Sequence, residues 1–293
     1  MTAQLERTIP SFDDAYVLDS VLGQSGQVAR CKMWSQQQRR WVVARYLCGP
    51  AALDEQAQEE FLADYEHVEG LTHPVLLQVL KVERVDSVVI GIEEFVEGTR
   101  FDRWLDANTS MELSERMRIA IQLVRAVCCL HEHDHLHLGL SEHAFVVQAD
   151  RSLRLVDFGR HAFIHEERHS SLSEEERRNA SPEELAGQLP SMQSDVFQVG
   201  ALLFLLLSGR RARLSPAAPI PSLVELEPSL PMGLGQLVDR CLSDNPEHRP
   251  SSVASLLKGL QEQFLQLRTL KQTRSSGSFA AVRSPARGVP RLS

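Results

Sequence analysis

A short stretch of the chain is rich in histidine. Residues 128–145 hold five, of which His131, His133, His135 and His137 alternate with other residues. Zinc needs three or four such ligands converging on one point. Alternating side chains share a face only in an extended strand. Because this segment follows a helical pattern and leads into a turn, we expect the histidines to diverge; a zinc site is the alternative.

The composition is that of a globular protein with a substantial core. The chain has 293 residues, of which 43% are hydrophobic and 24% charged, and a net charge of −8. That charge argues against general nucleic-acid binding, which needs a basic surface. Five cysteines without repeated spacing favour free thiols in a reducing, cytoplasmic setting. The first residues lack the apolar core of a signal peptide, and the longest apolar run, Val199 to Leu207, is too short to span a bilayer.

The hydrophobic pattern predicts a strand-rich first third and a helical remainder. Strands are predicted at 16–23, 27–34 and 40–47 and as a pair within 76–95, with an amphipathic helix at 54–71. Further helices are predicted at 115–130, 196–207, 233–242 and 253–267. This order favours an α+β fold of two lobes, a small antiparallel β lobe with one helix and a larger helical lobe.

The same pattern gives the domain boundaries. We expect a flexible tail at 1–11, a small lobe at 12–97 and a large lobe at 98–268. Residues 269–293 are rich in Ser, Gly and Arg, hold no acidic residue, and are predicted to form a disordered basic tail.

Six sequence landmarks occur in a fixed order. They are HPVLLQVL, EEFVEG, LRLVDFG, SPEELAG, SDVFQVGALLFLLLSGR and DNPEHRP. In this order and spacing the chain resembles the eukaryotic-type Ser/Thr protein kinase domain, closest in style to bacterial ones, over Tyr16 to Leu267. The resemblance implies the two-lobed fold above, with a nucleotide pocket between the lobes.

The positions that carry phosphoryl transfer in that family are altered. The segment HLGLSEHA stands where the family has H-R-D-L-x-x-x-N. By this match Gly139 replaces the base aspartate, Ser141 the lysine that steadies the phosphate, and Ala144 the asparagine that binds metal. Arg45 replaces the strand lysine that holds the nucleotide phosphates. The resemblance thus implies no catalytic residue and no metal site, ATP at most as a weak ligand, and Asp157 as the one position left for magnesium.

A reduced nucleotide pocket is also implied. Its positions are Gly23, Gly26, Val28, Val43, Arg45, Glu94, Val146 and Asp157, with plain core packing as the alternative for the three valines. Glu93 falls at the gatekeeper position, which is normally apolar; Ile92 takes it if the register shifts by one. Arg45 is expected to pair with Asp64, or with Glu60 one turn earlier. Arg45 and Glu93 are further expected to fill the pocket in place of a nucleotide.

Structural positions of the family are kept. Glu183 and Arg249 match a buried ion pair of the large lobe, and Asp195 matches the residue that anchors the catalytic-loop backbone. His131 and His137 match histidines that pack near that loop, whereas His133 and His135 are expected in an exposed turn. The chain resembles the kinase fold but lacks the side chains that carry phosphoryl transfer in that family, and this combination predicts a pseudokinase.

Such a protein acts as a protein-binding or allosteric signalling module, and its partner would be an active kinase or a kinase substrate. Two alternatives stay open. One is an unconventional kinase with Glu142 or His143 as a relocated base and Asp157 holding a metal; the other is a nucleotide-binding switch. Residues 160–178, or the last helix pairing with a partner helix, are candidate contact segments.

Overall fold

The computed structural model describes residues 15–25, 27–85, 87–158, 174–215 and 217–280. The small lobe is a five-stranded antiparallel sheet with the strand order β1-β2-β3-β5-β4. Its strands are β1 Tyr16–Ser25, β2 Val28–Ser35, β3 Arg40–Leu47, β4 Val79–Val85 and β5 Val88–Glu94. All five lie where the sequence predicted them.

The sheet separates an apolar core from the space between the lobes. Side chains alternate between the two faces of a strand, and in β2 buried residues alternate with half-buried ones. The buried face holds a cluster of small and medium apolar side chains, among them Ala29, Cys31, Ala44 and Ile92. The half-buried face of β2, which includes Val28 and Arg30, therefore looks into the cleft.

A single helix, α1 Glu55–Val68, packs on this sheet as predicted. It begins at Asp54, whose side chain accepts hydrogen bonds from the backbone N–H groups of Gln56 and Ala57, satisfying donors that a helix start leaves unpaired. The side chain of Gln58 accepts a bond of 2.7 Å from the backbone N–H of Val89. The helix is thereby fixed to β5 by a hydrogen bond as well as by packing.

The large lobe is helical, with three short strands at its upper edge. Its elements are β6 Thr99–Arg100, α2 Phe101–Ala107, α3 Leu113–His131, β7 Phe145–Val147, β8 Leu153–Leu155, α4 Glu174–Asn179, α5 Pro182–Leu185, α6 Met192–Ser208, α7 Leu223–Leu226, α8 Met232–Cys241 and α9 Val253–Ala280. Helix α6 is buried on nearly every side, which explains its apolar sequence. Among the residues described above, no helix has the length and apolar character needed to cross a membrane.

An ion pair braces this lobe. Arg249 donates bonds of 2.7 and 2.8 Å to the two carboxylate oxygens of Glu183, and Ser194 donates a third of 2.9 Å to the same group. Both charged residues are buried. The predicted pair is therefore confirmed.

The C-terminal boundary differs from the prediction. The sequence placed the end of the folded domain at residue 268, whereas α9 continues to Ala280. No proline lies between Pro250 and Pro285 to stop the helix. Beyond Leu267 the sequence is mostly polar. The N-terminal tail at 1–11, residues 281–293 and most of 160–178 lie outside the described residues.

Candidate functional site

Four residues lie side by side across the cleft face of the sheet. Gly23 of β1 is opposite Arg30 of β2, Arg30 is opposite Arg45 of β3, and Arg45 is opposite Gly91 of β5. Residues opposite each other in neighbouring strands share a face. This cross-strand row places two arginines between two glycines in the roof of the cleft.

Arg45 is held by two carboxylates. Its Nη1 donates a bond of 3.0 Å to Oδ1 of Asp157, and its Nε lies 3.5 Å from Oε1 of Glu93. Burial acts to lower the pKa of this guanidinium, but the charges of Asp157 and Glu93 outweigh it and hold the pKa well above the ordinary value. Arg45 therefore joins the sheet of the small lobe to the segment that follows β8 in the large lobe.

Glu93 faces the cleft from β5. It is 2% exposed, and its Oε1 accepts a bond of 2.5 Å from the hydroxyl of Tyr65 in α1. Burial raises the pKa of its carboxyl, and Arg45 and Tyr65 act in the opposite direction. Ile92 belongs to the apolar cluster on the other face of the sheet. The gatekeeper position is thus taken by Glu93, and the alternative register with Ile92 is wrong.

The predicted pair between Arg45 and Asp64 is wrong, as is the fallback with Glu60. The carboxylates within 4.0 Å of Arg45 among the described residues are Glu93 and Asp157, and Glu60 accepts a bond from Gln56 of its own helix. The helix residue that reaches the cleft is Tyr65, one position after Asp64. The sequence register was therefore one residue away from the side chain that faces inward.

Asp157 is fixed by its side chain and its backbone. Burial acts to raise the pKa of its carboxyl, but the charges of Arg45 and then Arg30 hold that pKa well below the ordinary value. Nε2 of His137 lies 2.7 Å from its carbonyl oxygen, and because a carbonyl can only accept, His137 is the donor. The carboxylate is therefore ionised and committed to a guanidinium.

The loop beneath the cleft, residues 137–144, keeps its backbone anchors. The carboxylate of Asp195 accepts bonds of 2.8 Å from the backbone N–H groups of both His137 and Leu138. Gln198 accepts another of 2.8 Å from the N–H of Leu140. The predicted anchoring role of Asp195 is confirmed. These contacts use backbone atoms of the loop and do not depend on the side chains that it carries.

The same loop places no carboxylate or amide beside Asp157. Gly139 is exposed and has no side chain. The hydroxyl of Ser141 accepts from the N–H of His143 and so caps a short turn, and Ala144 is buried. Magnesium takes a near-octahedral set of oxygen ligands, whereas residues 137–144 and Asp157, in the part of the chain that the structure describes, offer at this position one carboxylate, which is bonded to Arg45. These residues do not fit the metal that the family resemblance implies.

The two candidates for a relocated base, Glu142 and His143, have charged neighbours on the large lobe. Glu142 is 1% exposed and forms an ion pair with Arg211 from the loop after α6. His143 turns its Nδ1 towards Asp102 of α2, at 3.7 Å. Both side chains are thus engaged by neighbours on the large lobe.

The alternating histidines contact different groups. Nε2 of His131 lies 2.8 Å from Asp195, and Nδ1 of His133 lies 2.8 Å from the carbonyl of Cys129. His135 bonds the carbonyl of Phe158 and His137 that of Asp157. Within the described ranges, no group of three or more His, Cys, Asp or Glu side chains is placed to share a metal ion.

His135 was expected in an exposed turn, and this is wrong. The residue is 2% exposed, and its ring packs edge-on against that of Phe158. The chain folds back beneath the segment after β8, so the loop presents two imidazoles to two successive carbonyls. Two of the alternating histidines, His135 and His137, thus bind the backbone of Asp157 and Phe158.

The remaining predicted pocket positions differ in their burial and in the face of the sheet on which they lie. Val43 is buried, and Val28 and Val146 are half-buried. Glu94 lies one residue after Glu93 and points to the other face of β5, where it accepts from the N–H of Gln78 and from Arg154. Its carboxylate therefore does not line the cleft. Gly26 lies outside the described residues.

Sequence reasoning missed two side chains of the cleft face, Arg30 and Tyr65. Arg30 could have been found, because it follows Val28 by two residues and strand alternation puts both on the cleft face. Tyr65 had been treated only as part of the apolar stripe of α1. No sequence signal marks its hydroxyl as a partner for Glu93.

Comparison with known proteins agrees with this architecture. The chain is 23% identical to the serine/threonine-protein kinase PrkC of Bacillus subtilis over 77% of its own length and 37% of that protein. It is 24% identical to the probable serine/threonine-protein kinase PknB of Lactococcus lactis over 64% and 32% of the two chains. The chain therefore spans about a third of the length of these curated relatives.

A solved structure gives the same fold. The PknI kinase domain of Mycobacterium tuberculosis superposes with a TM-score of 0.69 at 19% identity, covering 87% of this chain and 98% of that one. The protein kinase domain family matches residues 16–265. The chain belongs to the protein kinase domain family.

Proposed function

We propose that this chain uses the kinase fold without transferring phosphate, as a pseudokinase that serves as a protein-binding or allosteric signalling module. The observation that carries this proposal is the pairing of Arg45 with both Asp157 and Glu93. In this proposal the ion-pair network takes the position at which kinases in general hold ATP and magnesium.

The arrangement lacks what phosphoryl transfer requires. That reaction depends on positioning the acceptor and on stabilising charge at the transferred group. Gly139 cannot accept a proton from a hydroxyl, Ala144 cannot ligate a metal, and the carboxylate of Asp157 is taken by Arg45. The alternative of a relocated base has less support, because Glu142 is paired with Arg211.

The scaffold itself is preserved, which favours a role in binding. The large lobe keeps its brace between Glu183 and Arg249, and the loop keeps its anchor at Asp195. Arg45 also joins the two lobes directly, through its ion pair with Asp157. A fixed relation between the lobes presents one surface to a partner protein, such as an active kinase or its substrate. A cytoplasmic location, in line with five buried free thiols, is part of the proposal.

The proposal is tested by thermal unfolding and by phosphate transfer. A ligand that binds only the folded state raises the melting temperature. We expect no rise with ATP and magnesium, and no label transferred from radiolabelled ATP to the chain or to a general protein substrate. Transfer that stops in the Asp157→Ala variant would overturn the proposal, since that variant removes the carboxylate at the position where the family binds magnesium.

A further inference from the structure

The end of strand β5 is contacted by an arginine on each of its two faces. Glu93 and Glu94 are consecutive, so their side chains point to opposite faces of the sheet. On the cleft face, Glu93 lies 3.5 Å from Nε of Arg45. On the other face, Glu94 forms an ion pair with Arg154 of β8. Two adjacent carboxylates of the small lobe are therefore matched by two arginines, one from each lobe.

Arg154 crosses the boundary between the lobes. Its guanidinium donates to the carboxylate of Glu94 and, at 2.6 Å, to the carbonyl oxygen of Leu76, both of which belong to the small lobe. The same carboxylate oxygen of Glu94 accepts a bond of 2.8 Å from the backbone N–H of Gln78, which fixes its position. Both charged side chains are half-buried, and ion pairs that are partly buried are screened less than exposed ones. The pair is therefore placed to hold the two lobes together.

The segment 154–157 carries a second connection to the small lobe. Asp157, three residues after Arg154, accepts a bond of 3.0 Å from Arg45 of β3. The arginine comes from the large lobe at one connection and from the small lobe at the other. The segment is thus joined to the small lobe on both faces of the sheet, and the lobes cannot separate here unless both ion pairs break.

We propose that Arg154 and Glu94 form an interlobe latch that restrains opening of the cleft together with the Arg45–Asp157 pair. Opening then costs the free energy of both pairs, so the loss of either one makes opening more frequent. Because Glu94 does not line the cleft, a partner protein could release this latch from outside the cleft. The inference goes beyond the proposed function, since it concerns motion of the lobes and holds whether or not phosphate is transferred.

Amide hydrogen exchange measures this opening, because two backbone hydrogen bonds cross the lobe boundary. The N–H of Leu77 donates to the carbonyl oxygen of Leu155, and the N–H of Leu155 donates to that of Val75, each at 2.8 Å. Exchange of these two reporter amides requires their bonds to open. The N–H groups of Val89 and Leu140 bond within one lobe, at 2.7 and 2.8 Å, and serve as reference amides.

Removing the cation of the latch should accelerate the reporter amides selectively. In Arg154→Gln we expect them to exchange at least about tenfold faster than in the parent, the effect of losing a charge-assisted hydrogen bond, with the reference amides unchanged. Arg84→Gln removes an ion pair with Glu59 inside the small lobe and should leave all four amides unchanged. Equal rates in Arg154→Gln and the parent would overturn the latch. Equal acceleration of reporter and reference amides would also overturn it, because the pair would then support the fold as a whole.

Two further variants test the partner residue and the joint action of the two ion pairs. Glu94→Gln keeps the shape of the side chain and removes its charge, so it should accelerate the reporter amides in the parent but add little in Arg154→Gln; it also carries the test if Arg154→Gln does not fold. Arg154→Gln combined with Arg45→Met should accelerate them by the product of the single effects. A combined effect no larger than that of Arg45→Met alone would mean that Arg154 does not restrain opening. Phosphate transfer is measured separately, so the latch and the proposed function can fail independently.

Discussion

The ring of Tyr65 occupies the volume that any side chain at position 91 would need. An added Cβ on Gly91 would lie 2.1 Å from Cε1 and 2.2 Å from Cζ of that ring. This close approach lets the Tyr65 hydroxyl reach Glu93, two residues further along β5, at 2.5 Å. A glycine in a strand thus sets which residue of α1 enters the cleft.

Replacing that glycine should separate the helix from the sheet. We expect Gly91→Ala to lower the free energy of unfolding by about 1–3 kcal/mol, the usual effect of forcing extra atoms into a packed site. Urea denaturation measures it. Gly139→Ala, at an exposed position with ordinary backbone angles, should stay within about 0.5 kcal/mol of the parent. Equal stability of Gly91→Ala and the parent would contradict this packing.

Replacing Arg45 should lower the free energy of unfolding, because Glu93 then loses its ion pair. In Arg45→Met, Glu93 is left as a buried carboxylate without its ion pair, which typically costs about 3–5 kcal/mol. Adding Glu93→Gln should recover a large part of that loss, because the second variant removes the uncompensated charge. Denaturation of the two single variants and the double variant gives the coupling. Additive losses would show that the two residues do not act as a pair.

Placing an aspartate at position 139 should not by itself produce phosphate transfer. We expect Gly139→Asp to fold, since the position is exposed, and to transfer no label from ATP. Asp157 would still be bonded to Arg45, and Ala144 would still offer no metal ligand. A radiolabel assay on this variant checks the expectation. Measurable transfer by Gly139→Asp alone would mean that Arg45 releases Asp157 when a nucleotide arrives.

His137 should make the fold sensitive to acid. Burial is the largest effect and lowers the pKa of His137 below the usual 6.5. The charges of Asp157 and Asp195 raise this pKa and the charge of Arg45 lowers it, but the net shift is downward. The unfolded chain therefore takes up the proton first, and stability falls as the pH drops below about 6.5 towards the folded-state pKa, by at most about 1.4 kcal/mol per pH unit. Denaturation across this range should show a shallower fall in His137→Gln. Identical pH profiles would contradict the role of His137.

The fold was predictable because its signals are local. Strand alternation in β2 and β3, the apolar positions of α1 and the continuous apolar run of α6 each fix an element without knowledge of its neighbours. The end of α9 was not predictable, because composition suggested disorder where the absence of proline allowed the helix to continue.

The site was predictable only at the level of residue types. The sequence alone shows that positions 45, 139 and 144 differ from the family motif, but it does not show which residues contact Arg45. Those partners depend on the Tyr65 ring fitting over Gly91 and on how the segment around Asp157 folds under the sheet. These contacts join residues that are distant in the sequence, by 28 positions for Tyr65 and Glu93 and by 112 for Arg45 and Asp157, and they leave no periodic signal.

The anchoring of residues 137–144 through their own amides has a consequence for how this chain can change over time. Asp195 and Gln198 recognise peptide groups that every amino acid except proline supplies. Reactive side chains on the loop can therefore be exchanged for inert ones, one at a time, while the domain keeps folding. A protein that lost its catalytic side chains during evolution would therefore keep its fold. For the same reason, a new side chain could be introduced at position 139 by protein engineering without loss of the backbone hydrogen bonds that hold the loop.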